Sequence, residues 1–306
     1  IDTGYAPTGG IIPCLGEAEL EARAQFIEKL RAETEDGTYP ASVLSRKELE
    51  GMLPKVPFGP EVSGGIWSDM DGYVDPLHLM FAFRKSFVRL GGTLFAGERV
   101  SEVKPSGKGY TVVCGGRTLE CGKAVLAAGL GVRKLAAQLG TDIPVFPNKS
   151  QVMLLERIPA DVLPIPLLGI ARTFGGTVMI GAAHENMGMD RRLTPEVLAA
   201  NAQWAVRVWP ELERKRILRF WTGLRVWPKD AYPIYDRIPG HENAFVFAMH
   251  SAVSLAAILE QALPDYVMGK PLPPDGAIFG LSRFAGGGSG FQGSAASSPH
   301  AEAPNK

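Results

Sequence analysis

Arg225 is the residue whose chemistry first needs an explanation, because it lies in the apolar and aromatic stretch FWTGLRVWP at residues 220–228. An arginine keeps its charge in a protein, so a guanidinium buried among such neighbours needs a partner anion. Its planar fork of N–H groups matches a carboxylate through two parallel hydrogen bonds. The sequence leaves two sources for that anion: an internal salt bridge to Asp230 or Asp236, or the carboxylate of a ligand.

Small residues join a predicted strand to a predicted helix in KAVLAAGLGVRKLA, residues 123–136. Ala127, Ala128 and Gly129 stand at this joint. Backbone N–H groups at a helix N-terminus bind a phosphate when no side chain blocks the approach. The same pattern occurs in ordinary packing of a strand against a helix, so this alternative stays open.

A second joint of this kind occurs in NAFVFAMHSAVSLA, residues 243–256. It places His250 at the end of a buried strand, where ligands of open α/β sheets bind. Ser251 and Ser254 are predicted to cap the helix that follows. The alternative is a capped helix with a structural histidine.

The composition excludes several functional classes. The 306 residues include 32 Lys plus Arg and 32 Asp plus Glu, so the chain lacks the basic excess that nucleic acid or an anionic membrane would require. The five histidines and three cysteines show no metal-ligand spacing, which predicts no metal site. No apolar run is long enough to span a membrane, and no signal peptide is visible.

The three cysteines indicate the redox environment. Cys114 and Cys121 flank a predicted turn and could face each other across a hairpin, while Cys14 is remote in sequence. We expect three buried thiols in a reducing compartment. The expected location is therefore cytoplasmic, with peripheral membrane association only through partners.

Apolar periodicity and capping residues predict six helices. A capping box at Ser45 and Glu48, a cap at Asp75 with Pro76 in the first turn, and a cap at Thr194 mark three of their starts. The predicted helices span residues 16–33, 45–53, 75–92, 131–140, 194–212 and 254–269.

Short apolar runs bounded by Gly and Pro predict the strands. Residues 92–129 are expected to hold four or five strands, residues 228–236 a Pro-rich loop, and residues 285–306 a disordered tail. Further strands are predicted at residues 150–157, 166–174, 176–183, 216–228 and 244–250. This order predicts a protein of the α/β plus α+β class with two interleaved domains.

Five ordered motifs resemble the D-amino-acid oxidase and glycine oxidase family of FAD-dependent oxidoreductases. The resemblance extends over residues 1–284 and is strongest to the flavoprotein subunits of hydrogen cyanide synthase, opine oxidase and D-hydroxyproline dehydrogenase. The motifs are DGYVDP (71–76), RVSEV (99–103), KAVLAAGLG (123–131), TGLRVWPKDAYPIYD (222–236) and FVFAMHSAVSLA (245–256).

The resemblance implies an FAD-binding, Rossmann-like domain interleaved with a mixed-sheet substrate domain. Residues 1–63 and 141–235 would belong to the substrate domain, and residues 64–140 and 236–284 to the FAD domain. The cofactor-binding residues it implies are Val100 beside the adenine, Ala127, Ala128 and Gly129 near the pyrophosphate, and His250, Ser251, Ala252, Val253, Ser254 and Leu255 past the flavin ring. It also implies Gly223 as a cofactor-binding residue.

The resemblance also implies the chemistry: a C–N bond of an amino or imino acid is oxidised, hydride passes to FAD, and water hydrolyses the imine. Arg225 would bind the substrate carboxylate. Tyr232 and His250 would bind substrate, and Tyr235 and His184 are further candidates for lining the pocket. No residue is assigned as a catalytic base. D-amino acids, hydroxyproline, glycine, sarcosine and opines all satisfy this description, and partner subunits with further redox centres are the expected electron acceptors.

This sequence departs from the family pattern in three places. The GxGxxG fingerprint and its acidic residue are absent, KSQ at 149–151 replaces RGQ, and Ala252 and Ser254 stand where relatives often have Gly. We therefore expect these 306 residues alone to bind FAD poorly. The alternative function is a non-catalytic fragment or scaffold subunit that no longer binds FAD. A nicotinamide-dependent dehydrogenase has no support without the fingerprint.

Overall fold

The structure is a computed structural model that describes residues 1–181 and 183–287. The described chain is a mixed α/β protein. Its helices are α1 (Glu17–Glu33), α2 (Arg46–Met52), α3 (Pro76–Arg89), α4 (Val132–Ala137), α5 (Pro195–Val208), α6 (Ala256–Val267) and α7 (Pro274–Ala277). Short 3-10 helices lie at Gly129–Gly131, Pro210–Arg214 and Leu281–Gly287. Most of the predicted tail, residues 288–306, lies outside the described residues.

The strands are short except for two, which have 13 and 12 residues. They are β1 (Tyr5–Ala6), β2 (Gly10–Leu15), β3 (Ser42–Ser45), β4 (Val62–Ser68), β5 (Tyr73–Val74), β6 (Val100–Ser106), β7 (Gly109–Cys114), β8 (Arg117–Cys121), β9 (Ala124–Leu126), β10 (Val145–Arg157), β11 (Ile170–Arg172), β12 (Thr177–Gly181), β13 (Ile217–Pro228), β14 (Ile234–Arg237) and β15 (Ala244–Ala248).

A four-stranded sheet of order β11-β12-β10-β13 carries the long antiparallel pair β10 and β13. Side chains alternate between the two faces of a strand. Met153 and Leu155 of β10, with Val178 and Ile180 of β12, lie on the face that is buried in the larger hydrophobic core. The residues between them, such as Val152, are only half-buried and form the opposite, more open face.

A second hydrophobic core surrounds the sheet β14-β15-β9, against which α4 packs. β9 runs parallel to β15, so the carboxyl ends of both strands meet at one edge of the sheet. β6, β7 and β8 form a separate antiparallel meander. The predicted boundary between residues 63 and 64 falls inside β4, which pairs with β2 and β3. The domain limits remain a prediction.

Two predicted helix starts are confirmed in atomic detail. Ser45 and Glu48 form the capping box of α2. The Asp75 carboxylate accepts hydrogen bonds from the backbone N–H groups of Leu77 and His78 at the start of α3. These contacts satisfy N–H groups that the first turn of a helix leaves without a partner.

The other predicted caps are wrong. Thr194 precedes α5, but its hydroxyl donates to Glu185 instead of accepting from the helix. The last helix of the predicted set, α6, begins only at Ala256, so neither Ser251 nor Ser254 caps it. At Thr194, the buried Glu185 carboxylate competes for the hydroxyl. A buried carboxylate needs hydrogen-bond donors more strongly than a helix end that water can reach.

The Pro-rich loop predicted at residues 228–236 is also shorter than expected. Ile234 and Tyr235 are buried and belong to β14, which pairs with β15. Likewise, Cys114 and Cys121 do not face each other across the β7–β8 hairpin, since Cys114 lies opposite Arg117. All three cysteines are free thiols, of which Cys121 is half-buried.

Two of the predictions from the sequence concern a membrane-spanning segment and a metal site. None of the described helices combines the length and apolar character needed to cross a membrane. Among the described residues, no group of three or more His, Cys, Asp or Glu side chains could hold a metal ion.

Candidate active site

The Arg225 guanidinium lies on the open face of the four-stranded sheet. β13 places it opposite Asn148 of β10. Its Nη2 donates to Ser150 Oγ at 3.0 Å, and its Nη1 donates to Ala183 O at 3.4 Å. Nη1 also lies 3.0 Å from Nε2 and 3.1 Å from Nδ1 of His184. Every one of these neighbours is electrically neutral in its usual form, so none compensates the arginine charge.

The two internal carboxylates considered as partners are engaged elsewhere. Asp230 forms an ion pair with Arg283, at 2.7 Å from its Nε. Asp236 accepts from the backbone N–H of Leu281 at 2.7 Å. Within residues 1–181 and 183–287, no carboxylate lies at ion-pair distance from Arg225. Burial lowers the pKa of Arg225, as expected of a cation removed from water without a counter-charge.

His184 is held between Asn148 and Arg225. Asn148 Nδ2 donates to Asn186 Oδ1 at 3.4 Å, so its Oδ1 is left to accept from His184 Nδ1 at 3.0 Å. This pattern assigns the proton of the neutral ring to Nδ1 and leaves the Nε2 lone pair toward Arg225. Burial, the Arg225 charge and His250 lower the pKa of His184 to about 4. The ring is therefore uncharged at neutral pH.

Trp227 and His250 form an aromatic wall next to His184. The rings of Trp227 and His250 stack with centroids 4.5 Å apart, and the Trp227 ring meets the His184 ring edge-on at 5.1 Å. His250 Nε2 lies 2.6 Å from Ala231 O, and its Nδ1 lies 2.7 Å from Ser251 Oγ. These bonds connect the turn after β15 to the loop before β14.

Gly223 leaves an open space two residues from Arg225 on the same face of β13. It lies opposite Ser150, and a Cβ added to it would meet no atom within 4 Å. The sheet therefore presents bare backbone beside the guanidinium, with room for a ligand.

The two small-residue turns lie at the shared carboxyl ends of β9 and β15. Ala127 and Ala128 are exposed, and so are the residues at 251–254. Gly129 has a φ of 57°, which favours glycine, and a Cβ added to it would lie 3.5 Å from Val226 Cγ2. This glycine turn therefore meets β13 through Val226, whose side chain lies on the face opposite to that of Arg225.

The remaining predicted residues differ in their surroundings. Val100 is half-buried on β6 against the second core. Tyr232 is half-buried and stacks with Phe279 at 6.3 Å. Tyr235 is fully buried, and its hydroxyl donates to Met249 Sδ at 3.6 Å, so it packs in the interior instead of lining the open face. Burial raises the pKa of Tyr235 to about 12.

A buried ionic network lies on the opposite face of β10, directly behind this site. Lys149 Nζ lies 3.2 Å from Glu185 Oε2, and both side chains are almost completely buried. Lys149 Nζ also donates to Thr194 Oγ1 at 2.7 Å, and Gln151 Nε2 donates to Glu185 Oε1 at 2.7 Å. The backbones of Lys149 and Glu185 bond to each other in both directions, which holds the segment with His184 against β10.

Sequence reasoning missed Asn148 and Trp227, and it noted Lys149 and Ser150 only as part of the KSQ departure from a family motif. The available signal was the run of four consecutive polar residues at positions 148–151, which precedes an apolar run in the same strand. Because successive side chains of a strand point to opposite faces, such a run places polar groups on both faces of β10. Polar side chains on both faces of a central strand indicate two polar sites back to back.

Comparisons with known proteins come from sequence and structure. The model of the family described as "DAO: FAD dependent oxidoreductase" matches residues 1–259. An opine oxidase subunit of Agrobacterium tumefaciens is 31% identical over 285 residues, which cover 93% of this chain and 76% of the relative. The hydrogen cyanide synthase subunit HcnC of Pseudomonas aeruginosa is 29% identical, with 85% of this chain and 64% of the relative covered.

Two solved structures share the fold. The glycine oxidase of Geobacillus kaustophilus superposes with a TM-score of 0.82 at 23% identity and covers 92% of this chain and 76% of its own. The L-proline dehydrogenase of P. horikoshii superposes with a TM-score of 0.81 at 21% identity, covering 93% and 78%. These similarities confirm the expected fold class.

Proposed function

Since the chain belongs to the family of FAD-dependent oxidoreductases, we propose that it oxidises a C–N bond of an amino or imino acid whose carboxylate is bound by Arg225. The observation that carries this proposal is the half-buried Arg225 guanidinium, which has no counter-charge in the described chain and faces an open space. A carboxylate ligand would supply the missing anion through a bidentate contact.

The residues present fit part of an FAD site. The adjoining carboxyl ends of β9 and β15 lead into turns of small, exposed residues, which leave backbone N–H groups open to a phosphate. We assign residues 127–129 to the pyrophosphate, residues 250–255 and Gly223 to the flavin ring, and Val100 to the adenine.

The chain's own residues would bind and orient the substrate. Arg225 would fix the carboxylate, and Ser150 holds the guanidinium through Nη2, which limits its freedom to rotate. Trp227 and His250 shield one side of the site from water. When bound, FAD supplies the acceptor for the hydride that leaves the substrate carbon. The resulting imine is hydrolysed by water.

The open space over Gly223 predicts a steric test of the site. Replacing Gly223 with valine should lower kcat/KM by about tenfold or more, because the new methyl groups would occupy space that we assign to ligands. Folding should not suffer, since the added Cβ meets no atom within 4 Å. The matched control is Gly122→Val, which also adds a side chain in open space. Steady-state kinetics of both variants, with thermal unfolding alongside, distinguish the two positions.

Equal activity of the two glycine variants would remove Gly223 from the site. A lower unfolding temperature of Gly223→Val alone would instead show that the space is needed for folding.

Partner subunits are the proposed electron acceptors. The opine oxidase and hydrogen cyanide synthase relatives are by name subunits of larger enzymes. We therefore propose that this chain acts as a dehydrogenase subunit that passes electrons to a partner. We also propose the domain limits given above: residues 1–63 and 141–235 for substrate, and residues 64–140 and 236–284 for FAD.

A second candidate is a non-catalytic scaffold that binds no FAD. Two features of the described residues favour it for this chain alone: β9 is an edge strand with Val125 exposed, and α3 exposes apolar side chains such as Leu77 and Phe81. Exposed apolar surface of this kind indicates contacts that these residues do not make by themselves.

A visible absorption spectrum distinguishes the two candidates. Purified protein would be recorded with and without added FAD, and then after anaerobic addition of D-amino acids, hydroxyprolines, glycine, sarcosine and opines in turn. Bleaching of a flavin band by one class supports the oxidoreductase and names its substrate. A protein that stays colourless after FAD is added would support the scaffold instead.

A further inference from the structure

His184 lies at the side of Arg225 where a substrate amine would come within reach. In an α-amino acid, the nitrogen is bonded to the carbon that carries the carboxylate. A substrate held by Arg225 would therefore place its nitrogen beside the groups that flank the guanidinium. Ser150 flanks it at Nη2, and His184 Nε2 flanks it at Nη1, 3.0 Å away. Of these two groups, the imidazole is the better proton acceptor near neutral pH.

We propose that His184 is the base that takes a proton from the substrate ammonium group, and that carboxylate binding to Arg225 makes it available. In this step an N–H bond of the ammonium breaks, a bond forms between Nε2 of His184 and the proton, and one positive charge moves to the imidazole. No electron changes hands. The neutral amine then has the lone pair that expels hydride from the adjacent carbon. This inference rests on the proposed function.

In the free protein the geometry keeps this base inactive. Nη1 of Arg225 lies 3.0 Å from Nε2 and 3.1 Å from Nδ1 of His184. Because Nδ1 donates to Asn148, Nε2 is the nitrogen left to accept from the guanidinium. A proton on Nε2 would point at the guanidinium. The low pKa of His184, about 4, agrees with this arrangement.

A bound carboxylate would change each of these conditions. It would draw the Arg225 N–H groups to itself, which frees the Nε2 lone pair of His184. It would also neutralise the Arg225 charge, which is the second cause of the low pKa of His184, so that pKa should rise while the effect of burial, the largest cause, remains. Among the other charged or titratable groups nearby, His250 stacks on the Trp227 ring, which in turn contacts the His184 ring. Lys149 and Glu185 lie on the opposite face of β10 and compensate each other.

His250, the other imidazole of the cluster, is less suited to this role. Both of its ring nitrogens already have close partners: Nε2 lies 2.6 Å from Ala231 O and Nδ1 lies 2.7 Å from Ser251 Oγ. Proton transfer to His250 would need one of these bonds to break, with no substrate contact to trigger it.

Isothermal titration calorimetry with propionate tests the switch, because propionate has the carboxylate and lacks the amine. Protein in saturating FAD would be titrated at about pH 6, where propionate is almost fully ionised and the free-protein pKa of His184, about 4, leaves its ring neutral, in two buffers of different ionisation enthalpy. We expect the wild type to take up a fraction of a proton on binding. His184→Gln should bind propionate with no uptake, while the control His241→Gln should behave as the wild type.

Binding without proton uptake, or equal uptake in His184→Gln, would overturn the role of His184 and leave Arg225 as carboxylate binder. Absence of any propionate binding would contradict the proposed function itself. A kinetic readout completes the test. His184→Gln should lower kcat/KM at neutral pH about 100-fold and move the profile to higher pH, where the substrate arrives as free amine. An unchanged pH profile would also overturn the proposal.

Discussion

Replacement of Arg225 with methionine is expected to raise KM for the amino-acid substrate at least about 100-fold, which corresponds to about 3 kcal/mol of lost carboxylate binding. Methionine retains much of the apolar stem and removes the charge. Because the carboxylate does not react, its contact with Arg225 should be similar in the ground state and the transition state. The larger effect is therefore expected in KM and the smaller in kcat.

The control for this prediction is Arg219→Met on the same strand. Arg219 lies on the same face of β13, is exposed, and packs over the Trp221 ring at 6.0 Å from its centroid. Its removal should leave KM unchanged. Arg225→Lys should resemble Arg225→Met more than the wild type, since an ammonium does not reproduce the bidentate fork.

Stability measurements separate this role from a structural one. A half-buried cation without a counter-charge costs free energy in the folded state, so Arg225→Met should leave the free energy of unfolding unchanged or higher. If KM stays at the wild-type value while stability falls, Arg225 is a structural residue and the assignment is wrong.

The buried network behind the site predicts the largest loss of stability. Glu185→Gln should lower the free energy of unfolding by about 3–5 kcal/mol, because it leaves the Lys149 ammonium buried without its counter-charge. Denaturant titration measures this as a lower midpoint at an unchanged slope. The double variant Lys149→Met with Glu185→Leu should recover much of the loss, since it removes both charges together.

An exposed ion pair provides the matched control. Glu61 pairs with Arg207, and both side chains are about half exposed. Glu61→Gln should change the free energy of unfolding far less than Glu185→Gln, because water screens an exposed ion pair. Equal effects of Glu61→Gln and Glu185→Gln would mean that the Lys149–Glu185 pair contributes no more than a surface pair.

Local structure was predictable where neighbours in sequence make the decisive contacts. The capping box of α2 and the Asp75 cap of α3 each join groups three residues apart or fewer, so the sequence pattern specifies them. Thr194 has the same cap signature, but its hydroxyl bonds to Glu185 instead. The cap failed there because a buried carboxylate from another segment was a stronger partner than the helix end.

The sequence by itself determined the helices with local caps, most of the strands after residue 92 and, through its ordered motifs, the family and its cofactor. It did not predict β1–β5, which precede that point, or β14. Arg225 could be identified as a cation that needs an anion, but its partner could not. Only the tertiary structure decided that question. The pairing of β13 with β10 surrounds the guanidinium with Ser150, Asn148 and His184, while Asp230 forms its ion pair with Arg283. Strand pairing joins residues that lie far apart in the sequence, and no local pattern specifies which charges it brings together.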